Sequence, residues 1–232
     1  VTLRKALCLV LATTGLMTGT AHAQDRPDPA ICERLQAERG LPMAEPVSLE
    51  IPASFSDRAV QTGRWLATLN ANGGTDCTFL GWVITAEPLE ALSDRFIGFA
   101  WTGYVTYGYT LIDTGAGRMT IDTGSRPVFS PRGDRLAFVE VSDVRIAFKG
   151  FAVYQIGDGS FTPLHVDTFL PYHADWRVDE WANEDCILLS AVPRSRINND
   201  YSRLPDAERD RYVAGRQNGW RLSPGTQCPD YP

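Results

Sequence analysis

The hydrophobic rhythm of this chain changes twice. From Ala6 to Thr20 apolar and small residues run almost unbroken; a short amphipathic stretch follows; and from about Phe79 onward apolar residues come in brief runs cut by glycine and aspartate. The first block has Arg4 and Lys5 ahead of it and Ala21-His22-Ala23 behind it. A positive start, an apolar middle and a small-x-small end predict a cleavable export signal over residues 1–23. The block is shorter than the roughly 20 apolar residues that span a bilayer, and Asp25, Arg26 and Pro27 end it at once. Cys8 lies inside the block rather than after a Leu-Ala-Gly/Ser run, which argues against lipidation.

The amphipathic stretch predicts a helix. Asp28 is a good N-cap, Pro29 suits the first helical position, Gly40 suits the position after the end, and Ile31, Cys32 and Leu35 form a narrow apolar stripe. Residues 56–69 fit helix and strand equally, and Asn72-Gly73-Gly74 ends them. Strands are then predicted at Trp82-Val83-Ile84, Phe96–Phe99, Tyr104–Ile112, Leu136–Val141, Phe151–Ile156, Leu164–Phe169 and Ile187–Val192, where aromatic and β-branched residues cluster between turn residues. Short strands without long helices between them point to an all-β sandwich, barrel or propeller. Pro205–Ala214 is rich in charge and reads as a surface helix or, better, a solvated connector. Residues 24–232 are expected to form a single β-rich domain.

Composition narrows the partners. Without residues 1–23 the chain has 20 basic and 28 acidic residues, a balance of −8, and its one lysine is Lys149. Nucleic-acid binding needs clustered basic groups to meet phosphates, so that class is excluded, and an anionic membrane surface is disfavoured for the same reason. Preference for arginine over lysine, joined to an export signal, fits a periplasmic or secreted protein of a Gram-negative bacterium. Four cysteines remain after residue 23: Cys32, Cys77, Cys186 and Cys228. An even number in an oxidising compartment predicts two disulfides with three possible connectivities; Cys32–Cys77 with Cys186–Cys228, each terminal region stapled to its nearer strand, is preferred. No pair has C-x-x-C spacing, which excludes zinc and thiol-redox readings.

Residues 126–139 read Arg-Pro-Val-Phe-Ser-Pro-Arg-Gly-Asp-Arg-Leu-Ala-Phe-Val. One strand ends at Phe129, Ser130-Pro131-Arg132-Gly133 reverses the chain, and the next strand alternates its faces. This segment resembles the blade motif of TolB-like (WD-repeat-like) β-propellers, Pro-x-aromatic-Ser-Pro-Asp-Gly-x-x-Leu/Ile-Ala-Phe, with Arg132 where the family has Asp. Tyr109–Gly115 before it and Ala152–Gly159 after it resemble the strand that precedes each motif, about 40 residues apart, a normal blade period. Ala174-Asp175-Trp176 through Ser190 resembles a degenerate third copy, so the resemblance covers roughly residues 96–192. It implies a propeller-like fold, incomplete if no further blades hide in the N-terminal half; a β-sandwich is the alternative, and the residues themselves add short N-terminal and C-terminal helices. By the same resemblance the domain is a non-enzymatic interaction platform for a protein or cell-envelope component.

Other motifs carry less. Asp113-Thr114-Gly115-Ala116 and Asp122-Thr123-Gly124-Ser125 look like aspartic-protease loops, but that chemistry needs two carboxylates about 3 Å apart across a two-fold axis. Copies nine residues apart do not come from two lobes, and Asp-Thr-Gly is an ordinary turn. His165-Val166-Asp167 and His173-Ala174-Asp175 suggest a metal site, yet they hold the only histidines after residue 23 and nothing fixes a third ligand; neither a metal nor a cofactor is expected. No Gly-x-Ser-x-Gly elbow occurs. Arg132-Gly133-Asp134 falls in the blade turn. Tyr172, Trp176 and Trp181 form an aromatic cluster beside acidic residues, read as core rather than as a binding rim. The competing class is a hydrolase on the same β scaffold, with His165, His173 and Asp175 as the residues to suspect.

Overall fold

A computed structural model describes residues 25–39, 47–104, 106–115, 119–140, 150–171, 173–198 and 200–228. The predicted export signal lies outside the described residues. Strands dominate, in four antiparallel sheets that follow one another along the chain. The first holds β1 (Ala59–Thr62), β2 (Trp65–Leu69) and β3 (Thr75–Phe79). The second holds β4 (Thr85–Ala86), β5 (Glu90–Ala91), β6 (Phe96–Thr102), β7 (Tyr107–Asp113) and β8 (Met119–Asp122). The third holds β9 (Val128–Phe129), β10 (Arg135–Glu140), β11 (Gly150–Gly157) and β12 (Ser160–Asp167). The fourth holds β13 (His173–Asn183), β14 (Cys186–Pro193), β15 (Asp210–Gly215) and β16 (Leu222–Pro224). Within each sheet sequential strands are neighbours, except that β4 and β5 both pair with β6, the pattern a meander with short turns produces. The all-β expectation holds, in four sheets rather than the two of a sandwich.

Alternation of side chains across each strand explains the stacking. In β6, Ile97, Phe99 and Trp101 join a core with the first sheet, while Phe96 and Ala100 join a core with the third. In β10, Leu136 and Phe138 face the second sheet's core and Ala137 and Val139 the fourth's. Both faces of β6, β7, β10 and β11 are thus buried over most of their length, so these strands read as continuous apolar runs rather than as alternation.

α1 (Pro29–Arg39) begins where the capping residues place it, with the Ala30 amide donating to Asp28 Oδ1 at 3.0 Å. It packs through Cys32 and Leu35 on Trp65, Ala67, Val60 and Phe79, the face of the first sheet turned away from the second. Disulfides join Cys32 to Cys77 and Cys186 to Cys228, the pairing preferred from the sequence. No helix among the described residues is long and apolar enough to cross a membrane.

The Ser-Pro-x-Gly hairpin forms as its turn chemistry dictates. Ser130 Oγ accepts the Arg135 amide at 3.2 Å and donates to Asp134 Oδ1 at 3.0 Å, and Gly133 takes φ +71°.

Two expectations fail. Trp82-Val83-Ile84 is a turn and bend, not a strand, because the chain must cross from the first sheet to the second there; Leu80 and Val83 anchor the crossing in the core between them. Pro205–Ala214 is neither helix nor solvated connector: a 3-10 turn ends at Asp206, and β15 runs between β14 and β16. Its charges lie beside ion-pair partners while Val213 and Ala214 are buried. The C-terminal helix of the sequence reading is therefore a strand.

Candidate functional site

A cavity of about 520 Å³ opens where the beginnings of the second, third and fourth sheets come together. Thr85 to Glu87 and Glu90 line it from the start of the second sheet, Gly124 to Arg126 from the turn into the third, and Asp175 and Trp176 from the start of the fourth. Trp101, Tyr107 and Tyr109 complete it from the β6–β7 hairpin. Its volume is typical of small-molecule sites.

Glycines let the aromatic rings lie where they do. A Cβ on Gly98 would fall 2.5 Å from the Tyr109 ring, and one on Gly108 2.7 Å from the Trp101 indole. Tyr109 therefore lies across Gly98 and donates its hydroxyl to Glu90 Oε1 at 2.9 Å. Arg126 closes the cluster with Nε and Nη2 on the two oxygens of the same carboxylate, at 2.9 and 3.1 Å. Burial works against charge on Glu90, but the bonds from Arg126 and Tyr109 outweigh it and hold the carboxyl below its ordinary pKa. Burial, then the neighbouring carboxylate, pushes the Tyr109 phenol far above its usual range. Trp101 is fixed from the other side: its Nε1 donates to Thr110 Oγ1 at 3.0 Å, and that hydroxyl donates to Asp122 Oδ1 at 2.7 Å. Trp176 Nε1 donates to the Pro171 carbonyl at 3.1 Å.

Beside the cavity lies an apolar rim. Trp82, Ile84, Tyr104 and Tyr107 are all exposed, and the Trp82 ring stands edge-on to Trp101 with centroids 6.5 Å apart. Large apolar side chains gathered at a cavity mouth are a usual mark of recognition.

The residues suspected from sequence are dispersed. Asp175 Oδ2 accepts from Arg209 at 2.7 Å and Arg177 at 3.0 Å. His173 Nε2 lies 3.2 Å from Tyr212 Oη and 3.7 Å from Asp210, with its Nδ1 buried and unpartnered. His165 and Asp167 do share β12, where burial lowers the His165 pKa. Among the described residues no serine, threonine or cysteine hydrogen-bonds either histidine, and no cluster of three or more His, Cys, Asp or Glu could hold a metal ion. Asp113 is closed by Arg95 at 2.7 and 2.6 Å, and Arg132 of the Arg-Gly-Asp turn has its amide on Glu184 at 2.7 Å. Trp181 is core, donating to the Val128 carbonyl at 2.9 Å; Tyr172 lies outside the described residues. Of the sequence candidates, Trp176 and Asp175 reach the cavity. Glu90, Tyr109, Trp101 and Arg126 went unnoticed, since no local motif joins them.

No family model matches the chain, and no curated protein matches it. Among solved structures, Kuenenia stuttgartiensis Hydrazine Synthase is similar over 72 % of this chain and 53 % of its own length, at 14 % identity and a TM-score of 0.33. The chain thus spans about half the length of that structure, and a likeness so slight lends it neither fold nor activity.

Proposed function

We propose that this protein is an exported, periplasmic or secreted binding domain of propeller type, without catalytic activity, whose ligand or partner engages the cavity and its aromatic rim. The observation that carries this reading is the convergence of three sheet beginnings on one aromatic-lined space. Sheets fanned about an axis bring their first strands together in this way. Meander topology, face-to-face packing in chain order and the TolB-like turn at Ser130–Gly133 support the propeller. The export pattern of residues 1–23 and two disulfides support the compartment. Binding rather than chemistry is favoured because Glu90 and Arg126 at the cavity are tied to each other, and no serine, threonine or cysteine hydrogen-bonds a histidine among the described residues.

The test is capture from periplasmic extract by residues 24–232, with mass spectrometry of what is retained. A partner held by the wild-type protein and by His173→Gln, but lost from the Trp82→Ser/Tyr107→Ser double variant, is the expected result. Retention by the double variant would remove the rim from the site. A hydrolytic activity abolished by His173→Gln would replace the proposal with the enzyme reading.

A further inference from the structure

We infer that the turn joining β15 to β16 is a pH-operated latch, held shut by neutral His165 and released when that ring takes a proton.

The turn is folded against its own backbone preference. Gly219 has φ +62° and Trp220 has φ +65°, so two successive residues are left-handed. Glycine adopts that conformation freely, but a bulky side chain does so only where its surroundings force it. Here the indole is the anchor. Trp220 is buried in the core shared by the third and fourth sheets, edge-on to Trp181 with centroids 5.4 Å apart, and its amide donates to the Gly215 carbonyl at 2.9 Å.

His165 closes the turn from the third sheet. It pairs with Val153 on β11, whose side chain faces the fourth sheet, so the imidazole lies on that face too. Its ring centroid is 5.7 Å from that of Phe151, and the Gly219 backbone bonds to it. Its Nε2 is buried without a partner. Three other influences meet this ring: Asp167 along β12, Arg221 just past Trp220, and the apolar ring of Phe151. Burial is the largest effect and, with Arg221, holds the imidazole below its ordinary pKa against Asp167 and the Gly219 backbone.

A proton on Nε2 would leave a buried charge without an acceptor, beside a guanidinium. Opening the turn hydrates the ring and also frees Trp220 from its left-handed backbone. The closed state binds the proton more weakly than the open one. The latch is therefore fully shut above the ordinary histidine value of 6.5 and loses its hold as pH falls below it. The Cys186–Cys228 bond keeps the released segment tethered.

Hydrogen exchange of residues 216–224 in the protein spanning 24–232, corrected for the intrinsic effect of pH on exchange, tests this between pH 7.5 and 5. Ordinary carboxylates stay ionised in that range, and the histidines after residue 23 are His165 and His173. Opening is expected to rise about tenfold on acidification, the worth of one pKa unit, with the His165 ring titrating below 6.5 by NMR. The rise should survive His173→Gln and vanish in His165→Gln, whose amide can bond to Gly219 but takes no proton. His165→Phe, which fills the space without titrating, is the second variant should the first not fold; the wild-type ring titration decides the matter even where neither folds. Opening of 216–224 that ignores pH, a rise that persists in a folded His165 variant or is lost with His173→Gln, or a His165 ring titrating at or above 6.5 would overturn the inference.

Discussion

At Asp113-Thr114-Gly115 the chain leaves β7 with its carboxylate closed by a guanidinium, whereas at Asp122-Thr123-Gly124, nine residues on, the carboxylate meets only a hydroxyl. The letters are identical and the surroundings are not. Arg95 binds Asp113 through two bonds and the Gly157 carbonyl through a third at 2.7 Å, while the Thr114 carbonyl accepts the Ala71 amide at 2.8 Å. That turn therefore ties the second sheet to the sheets on both sides. The Asp122 turn instead serves the cavity: through Thr110 it steadies Trp101, and Arg126 follows directly after it. Burial without a cation raises the Asp122 pKa. A tripeptide fixes a turn, and the neighbouring sheet decides what its carboxylate is for.

The difference breaks most sharply at Arg95. Arg95→Met should cost about 3 kcal/mol, because it strands a carboxylate whose side chain is 1 % exposed, the partial exposure of Arg95 keeping the loss at the low end. Urea denaturation measures it, and a loss below about 1 kcal/mol would demote the pair to a surface contact. The glycines come next. Gly124 has φ +67° and a Cβ there would lie 2.5 Å from that of Glu140, while Gly115 is not left-handed and its nearest neighbour is the Arg95 side chain at 2.9 Å. Gly124→Ala should therefore lower stability by about 1–2 kcal/mol and Gly115→Ala by clearly less; equal losses would erase the distinction. Asp122→Asn is the smallest effect and has the opposite sign. A folded pKa above the unfolded one means that the native state holds the proton more tightly, so stability falls as pH rises from the unfolded pKa through the folded one. Asparagine keeps the bond from Thr110 without the buried charge, and should stabilise at pH 7 by under about 1 kcal/mol, with the gain gone near about pH 3. Thermal melts of both proteins across that range follow the crossover. Glu90, held below its ordinary pKa, contributes in the contrary direction: its stabilisation is present at neutral pH and fades in acid.

Local chemistry was legible in the sequence and assembly was not. Asp28-Pro29 announced α1 and Ser130-Pro131-Arg132-Gly133 its hairpin because caps and turns are decided within a few residues. β15 was missed because Asp210 and Arg211 read as solvated charge, when their partners are Arg196 and Asp179, well apart in sequence. β13 hid its periodicity behind bulges: Trp176 and Trp181 share a face only because the register slips between Val178 and Glu180. The cavity draws on residues from Thr85 to Trp176, so no window of sequence contains it; Asp175 and Trp176 were its visible members.

α1 has a consequence for how copies of the molecule meet. A helix offers no flat apolar plane on which another sheet could settle, so α1 closes the outer face of the first sheet, as a capping unit closes a solenoid. The Cys32–Cys77 bond pins this plug to the strand that it shields. Copies of the protein are thereby denied a sticky terminus from which open-ended fibres could grow.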